Sequence, residues 1–211
     1  MSSIQLDKCE QVHQLRYRTT YELLNSMLHS TVLDLGGATP FTEALQKAWP
    51  GSQVHSTGLQ ELRGPFTSPL GSYDLVLCLE VIEHLHDLPT SNMHDRAQWI
   101  YSGMRAMLNA VREHVGGQLV ITTPNSAGLK ALWNVIHDLP PQTYLPHVRE
   151  LTMHELVSLV EEAGYRIETK GQWIVWQHHG LSQADALRMH SMLSVPERFV
   201  GDDLYLVARR A

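Results

Sequence analysis

Cysteine is nearly absent: Cys9 and Cys78 are the two in 211 residues. That is too few for a disulfide framework, and Cys78 lies inside an apolar run, so free thiols in a reducing compartment are expected. No apolar run approaches the roughly 20 residues needed to span a bilayer. Met1 to Glu10 lacks the basic-then-apolar pattern of a secretory leader. The expected location is therefore cytoplasmic, with no membrane partner. Positive charge is also short, with 16 Lys and Arg against 22 Asp and Glu and a formal net charge of −6. This balance argues against a protein that envelops nucleic acid, although a net charge says nothing of a local basic patch. Internal repeats and low-complexity tracts are missing too. What remains, 43% hydrophobic and 18% charged residues, suits one globular domain spanning residues 1–211. The 13 histidines are many for this length, and they raise the expectation of a metal without locating it.

The most informative stretch is Tyr73 to Leu85 (YDLVLCLEVIEHL). Leu75 to Leu79 is an uninterrupted apolar run, as expected of a strand buried on both faces of a parallel sheet. Glu80, Glu83 and His84 follow at i, i+3 and i+4, so a helical start there would project all three from one face. Ligands gather at the carboxyl ends of strands in open α/β sheets, which makes this cluster a candidate site. The plainer alternative is a solvated helix start, since acids favour helix N-termini.

The rest alternates strand and helix. A leading helix is expected over about Leu6 to His29, with Arg16-Tyr17-Arg18 on its solvated face. Thr31 to Leu35 reads as a strand closed by Gly36-Gly37, Phe41 to Trp49 as a helix, and Gln53 to Leu59 as a second strand. Gly64, Pro65, Pro69 and Gly71 make residues 60–72 a loop. A helix over Ala97 to Val115 should end at Gly116-Gly117, before a buried strand over Gln118 to Thr122. Residues 126–150 form an excursion with an amphipathic piece at Leu129 to Ile136. A capping box, Thr152 with Glu155, starts the next helix. Strands at Tyr165 to Val175 and Asp203 to Ala208 flank an insertion, 178–197, with a helix near Ala184 to Leu193. The excursion and insertion are lid candidates, or a homodimer contact. The fold class is thus α/β, with a mostly parallel sheet and an antiparallel last strand.

Four segments in this order resemble class I S-adenosylmethionine-dependent methyltransferases: Val32 to Gly37 (VLDLGG), Tyr73 to Leu85, Val120 to Asn125 (VITTPN), and His147 to Thr152 (HVRELT) with Ala163-Gly164-Tyr165. The EVIEH and TPN forms are similar to a subgroup that includes ubiquinone-type O-methyltransferases and Hen-type small-RNA 2′-O-methyltransferases. The resemblance implies a Rossmann-like sandwich and S-adenosylmethionine as cofactor. It carries cofactor contacts onto Asp34, Gly36, Gly37, Ala38, Gln60, Leu79 and Glu80. It also implies that Glu80, Glu83, His84 and His147 bind a divalent ion, Mg²⁺ or Mn²⁺; alternatively His84 and His147 serve as catalytic bases. The acceptor reading is a hydroxyl on a small molecule or glycan. The alternatives are an RNA 2′-O-methyltransferase and a non-catalytic scaffold.

Departures from that pattern set further expectations. Ala38 and Pro40 stand where the family carries glycines, and Pro40 should reshape the turn. Gln60 replaces the usual ribose-binding acid, with Glu61 next door as a substitute. The layer between the second strand and Tyr73 is too short for the usual helix and strand. Trp133, Trp173 and Trp176 are candidates for an acceptor pocket, although aromatics beside strands more often fill a core.

Overall fold

Leu75, Val76, Leu77 and Cys78 are fully buried, and they divide between two cores. Val76 and Cys78 join one apolar cluster and Leu75 and Leu77 the other, because successive strand residues point to opposite faces. Each buried aliphatic side chain here stabilises by about 1.5–3 kcal/mol relative to exposure. In the computed structural model these residues belong to β3 (Tyr73–Leu79) of a six-stranded sheet. Described are residues 4–6, 13–27, 29–88, 101–142, 144, 146–175, 183–193 and 201–211. Cys9 and Trp176 lie outside them.

The other strands are β1 (Thr31–Asp34), β2 (Gln53–Ser56), β4 (Val115–Pro124), β5 (Tyr165–Trp173) and β6 (Asp203–Arg210). Their order across the sheet is β2-β1-β3-β4-β6-β5. The first four strands pair in parallel, and β6 runs antiparallel to both β4 and β5. The helices are α1 (Gln14–Leu24), α2 (Pro40–Ala48), α3 (Ser102–Arg112), α4 (Leu129–Ile136), α5 (Met153–Glu162) and α6 (Gln183–Leu193). Tyr21 and Leu24 of α1 and Phe41 and Leu45 of α2 fill the core on one sheet face. Met104, Met107 and Leu108 of α3 and Leu156, Leu159 and Val160 of α5 fill the other. This two-sided cover of a mostly parallel sheet is the Rossmann-like arrangement expected, and residues 57–72 contain no strand or helix.

Several local expectations are corrected. Glu80 does not open a helix; its φ of +57° places it in the left-handed region, and only a single 3₁₀ turn, Ile82–His84, follows. Glu80, Glu83 and His84 therefore do not share one helical face. Gly116 and Gly117 do not terminate α3 but lie inside β4. A Cβ on Gly117 would sit 2.1 Å from the Asp74 carbonyl oxygen, so close strand approach, not capping, requires glycine there. Pro40, expected to reshape the glycine turn, stands beyond Gly36 and Gly37. It is the first residue of α2, behind the N-cap Thr39, where its missing N–H would have no helical partner. Arg16 is not solvated: it is buried, and Tyr17 beside it stacks on Phe41 at 4.7 Å. The capping box forms as expected, with the Thr152 hydroxyl accepting from Glu155 N–H.

Candidate functional site

β4 ends in Thr122, Thr123 and Pro124, and strand alternation sends the two threonines to opposite faces. Thr122 Oγ1 donates to Glu80 Oε1 at 2.8 Å, whereas Thr123 Oγ1 donates to Glu83 Oε2 at 3.0 Å. One strand end thus sorts the two glutamates into separate compartments.

On the α1 face, Arg16 Nη1 lies 2.8 Å from Glu80 Oε2. Asp203, at the start of β6, is 0% exposed. It belongs to the same alternate set as Val207, which packs under α1 and α2. Burial pushes its carboxyl well above the usual range, Glu80 adds to the shift, and Arg16 opposes it.

On the opposite face, Glu83 is 0% exposed. Its Oε1 lies 3.9 Å from His84 Nε2 and 3.8 Å from His147 Nε2, and has no hydrogen-bond partner. The three donor atoms all lie within 4.8 Å of one another. His147 is brought here by its own segment: Val148 and Arg149 N–H donate to the Glu83 carbonyl at 2.9 and 3.2 Å. The Arg149 guanidinium stacks over Tyr101 at 4.7 Å, and the Tyr101 hydroxyl bonds the Glu155 carboxylate. Glu150 Oε1, 2.7 Å from His147 Nδ1, fixes the ring so that Nε2 is left to face Glu83. Burial, then the neighbouring charge of Glu80, pushes the Glu83 carboxyl up. Burial, then the proximity of His147, pulls the His84 imidazole down. The structure therefore unites three of the four expected metal ligands and keeps Glu80 apart.

The cofactor candidates gather at the carboxyl end of β1. Gly36 and Gly37 have φ of +86° and +106°, values that favour glycine. A Cβ on Gly36 would meet Val81 Cγ2 at 2.7 Å, so the glycine turn abuts the residue after Glu80. Ala38 follows, exposed, and Leu79 closes β3 nearby. Asp34, behind this turn, is buried and accepts from the Thr42 hydroxyl; burial pushes its carboxyl up to about 7. Leu59 is 98% exposed, and a Cβ on Gly37 would lie 3.7 Å from its Cδ2. An apolar side chain left bare beside a backbone cradle fits a flat, partly apolar ligand.

Gln60 is otherwise engaged. Its Nε2 donates to the Thr57 and Thr67 carbonyls at 2.8 and 2.9 Å, and its Oε1 accepts from Thr67 N–H and hydroxyl, both at 3.1 Å. These bonds use the amide's full capacity and staple the 57–67 loop. Glu61 is paired with Arg63 at 2.7 Å. Trp133 packs with Leu129, Ile174 and Met189, joining α4 to α6, and Trp173 stacks on Tyr205 at 4.5 Å.

Sequence reasoning missed Asp203 and Glu150. A tandem acid opening a hydrophobic strand, and an acid three residues after a candidate ligand, were the available signals. Among the described residues, no helix is long and apolar enough to cross a membrane.

Comparisons with known proteins agree with this fold. Residues 11–170 match the methyltransferase domain family. A probable S-adenosylmethionine-dependent methyltransferase of Mycolicibacterium smegmatis is 31% identical over 136 residues, which is 64% of this chain and 44% of that protein's length. The structure of the pyocyanin biosynthetic protein PhzM superposes with a TM-score of 0.57 at 16% identity, covering 98% of this chain and 60% of that one. The small RNA methyltransferase HEN1 gives 0.60 at 16% identity, covering 100% and 26% respectively. This chain thus spans less than two thirds of the length of each of these relatives. With a matched family over most of its length and the sheet, glycine turn and strand-end acids in place, the chain belongs to the methyltransferase domain family, as a class I, Rossmann-like member.

Proposed function

We propose that the chain is an S-adenosylmethionine-dependent O-methyltransferase acting on a small-molecule or glycan hydroxyl, with Glu83, His84 and His147 holding a divalent cation. The observation that carries the metal reading is the unpartnered, buried Oε1 of Glu83 facing two imidazole nitrogens. A buried carboxylate oxygen without a donor costs several kcal/mol, and a cation removes that cost. The donor set, one oxygen and two nitrogens, suits a borderline divalent ion. Glu150 behind His147 is the outer carboxylate that ligating histidines commonly have.

In this reading each chain residue has a defined task. Thr123 fixes one oxygen of Glu83 and leaves the other for the ion. The two N–H bonds to the Glu83 carbonyl set His147 in register with Glu83. His84, its imidazole held below the ordinary histidine range, is unprotonated at neutral pH and accepts the hydroxyl proton if the ion is lost. Gly36, Gly37 and Ala38 would hold the cofactor by backbone, beside Leu59 and Leu79, with Asp34 bracing the turn. S-adenosylmethionine supplies an electrophilic methyl group on sulfur, and the divalent ion supplies Lewis acidity that lowers a hydroxyl pKa.

Calorimetric titration of Mn²⁺ and Mg²⁺ tests the site. The wild type should bind Mn²⁺, and Glu83→Gln and His147→Ala should each weaken binding by at least tenfold. No binding by the wild type up to millimolar ion would sink the metal reading and leave His84 as the base. Failure to bind S-adenosylmethionine at millimolar concentration would favour a scaffold.

A further inference from the structure

His84 and His147 reach Glu83 from separate segments, and the opening residues of α3 touch the continuation of both. At 3.9 and 3.8 Å from Glu83 Oε1, the two Nε2 atoms stand beyond hydrogen-bond distance of it. The segments that carry the ligands therefore set their spacing. On the His84 side, the Ser102 hydroxyl accepts from Leu88 N–H at 2.7 Å and lies 3.5 Å from Asp87 Oδ1. A Cβ on Gly103 would stand 2.0 Å from the His86 carbonyl oxygen, so helix and loop meet with no side chain between them. On the His147 side, the Arg149 guanidinium lies over the Tyr101 ring at 4.7 Å, an attraction of cation for ring face. The Tyr101 hydroxyl donates to Glu155 Oε1, and Glu155 Oε2 accepts from the Thr152 N–H and hydroxyl at 2.8 Å each. Arg149 stands two residues after His147, and its N–H donates to the Glu83 carbonyl at 3.2 Å. Tyr101 has a φ of +65° and is the N-cap residue of α3, yet it makes no side-chain cap bond. Capping therefore does not account for it. A bulky residue in the left-handed region persists only where its surroundings over-determine it, and such residues cluster at functional sites.

We infer that Tyr101 is a positioning residue for the metal triad: with Ser102 and Gly103 it forms one brace that sets the His84 segment against the His147 segment. The inference rests on the metal reading above and extends it to α3. Tyr101 acts through Arg149, which ties the ring platform to the Glu83 carbonyl and to the residue pair, His147 and Glu150, on either side. Ser102 and Gly103 act through the backbone of residues 86–88. Because consecutive residues of one helix start hold both segments, a displacement of that start moves both imidazoles relative to Glu83.

The test is calorimetric binding of Mn²⁺, and separately of S-adenosylmethionine, to the wild type, Tyr101→Ala, Tyr101→Phe, Arg149→Gln and the double variant Tyr101→Ala/Arg149→Gln. Circular dichroism checks that each folds. Arg149→Gln leaves the bond from Tyr101 to Glu155 in place, so it carries the test if Tyr101→Ala does not fold. The expected result is a loss of about tenfold in Mn²⁺ affinity for Tyr101→Ala and for Arg149→Gln, with less than about a twofold change for S-adenosylmethionine. Tyr101→Phe keeps the ring under Arg149 and should restore Mn²⁺ affinity to within about threefold of the wild type. The double variant should lose no more than either single one, since both remove the same contact. Unchanged Mn²⁺ affinity in the folded single variants overturns the inference. Equal loss for Mn²⁺ and S-adenosylmethionine marks the pair as merely structural and overturns it too, as does a Tyr101→Phe variant as weak as Tyr101→Ala. A wild type that does not bind Mn²⁺ up to millimolar concentration overturns the metal reading and this inference together, whereas Mn²⁺ binding that all the variants share overturns this inference alone.

Discussion

Replacing Asp34 by Asn should change how stability depends on pH. In the folded chain burial pushes this carboxyl from 3.8 up to about 7, against the opposing hydrogen bond from Thr42. Between those values the native state holds a proton that the unfolded state has released. Stability therefore falls as pH rises from about 4 to about 7, and levels off above that. A shift of roughly three units at 1.36 kcal/mol each makes the contribution about 4 kcal/mol. Asparagine keeps the shape and an acceptor for Thr42 but cannot ionise. At pH 8 the variant should be the more stable by about 3 kcal/mol, after allowing about 1 kcal/mol for a poorer hydrogen bond. At pH 4 it should equal the wild type or be about 1 kcal/mol less stable. Urea unfolding at five pH values from 4 to 8 gives both curves. Other buried acids, Glu83 and Asp203, titrate in both proteins, so the difference between the curves isolates Asp34. A constant difference across the range would refute the claim that the buried carboxyl carries this linkage.

Three further outcomes are expected. Thr152→Ala removes the acceptor for Glu155 N–H and one of the donors to its carboxylate. It should cost about 1 kcal/mol and lower Tm by about 2–4 °C in a thermal melt. Gly117→Ala should destabilise more than Gly36→Ala, because its new Cβ meets a backbone oxygen at 2.1 Å, whereas Gly36 meets a valine methyl at 2.7 Å that can shift; chemical denaturation ranks the two. Gly36→Ala should instead show its larger effect in S-adenosylmethionine affinity. Glu150→Gln keeps an acceptor for His147 Nδ1 but removes the charge behind it, and Mn²⁺ affinity should drop by about tenfold while the melting curve stays nearly unchanged.

Legibility in the sequence followed the range of the signals. The β3 run and the Thr152–Glu155 box were readable because a buried strand and a capped helix start are written in consecutive residues. The amphipathic piece at 129–136 emerged as α4 with the same bounds. Glu80 misled because helical spacing assumes helical backbone, and a left-handed residue breaks that spacing without any mark in the residue type. Gly116-Gly117 carries the same letters for a helix stop as for a tight strand approach, and only the position of Asp74 distinguishes them. Arg16 was read as solvated since its partners, Glu80 and Asp203, stand 64 and 187 positions away in the chain. His147 was found by resemblance. What locks it, Glu150 on one nitrogen and the Glu83 carbonyl on the adjoining backbone, is tertiary.

The neighbouring threonines of β4 have a consequence for how such a protein can change. Residues of one parity along that strand end bond the Glu80 carboxylate, and those of the other parity bond the Glu83 carboxylate. Substitution at Thr123 can therefore alter the surroundings of Glu83 while Thr122 keeps those of Glu80 intact, and the reverse holds. A single-residue insertion before Thr122 would exchange the two assignments at once. Point substitution can thus change one compartment at a time, whereas a length change in this strand disturbs both.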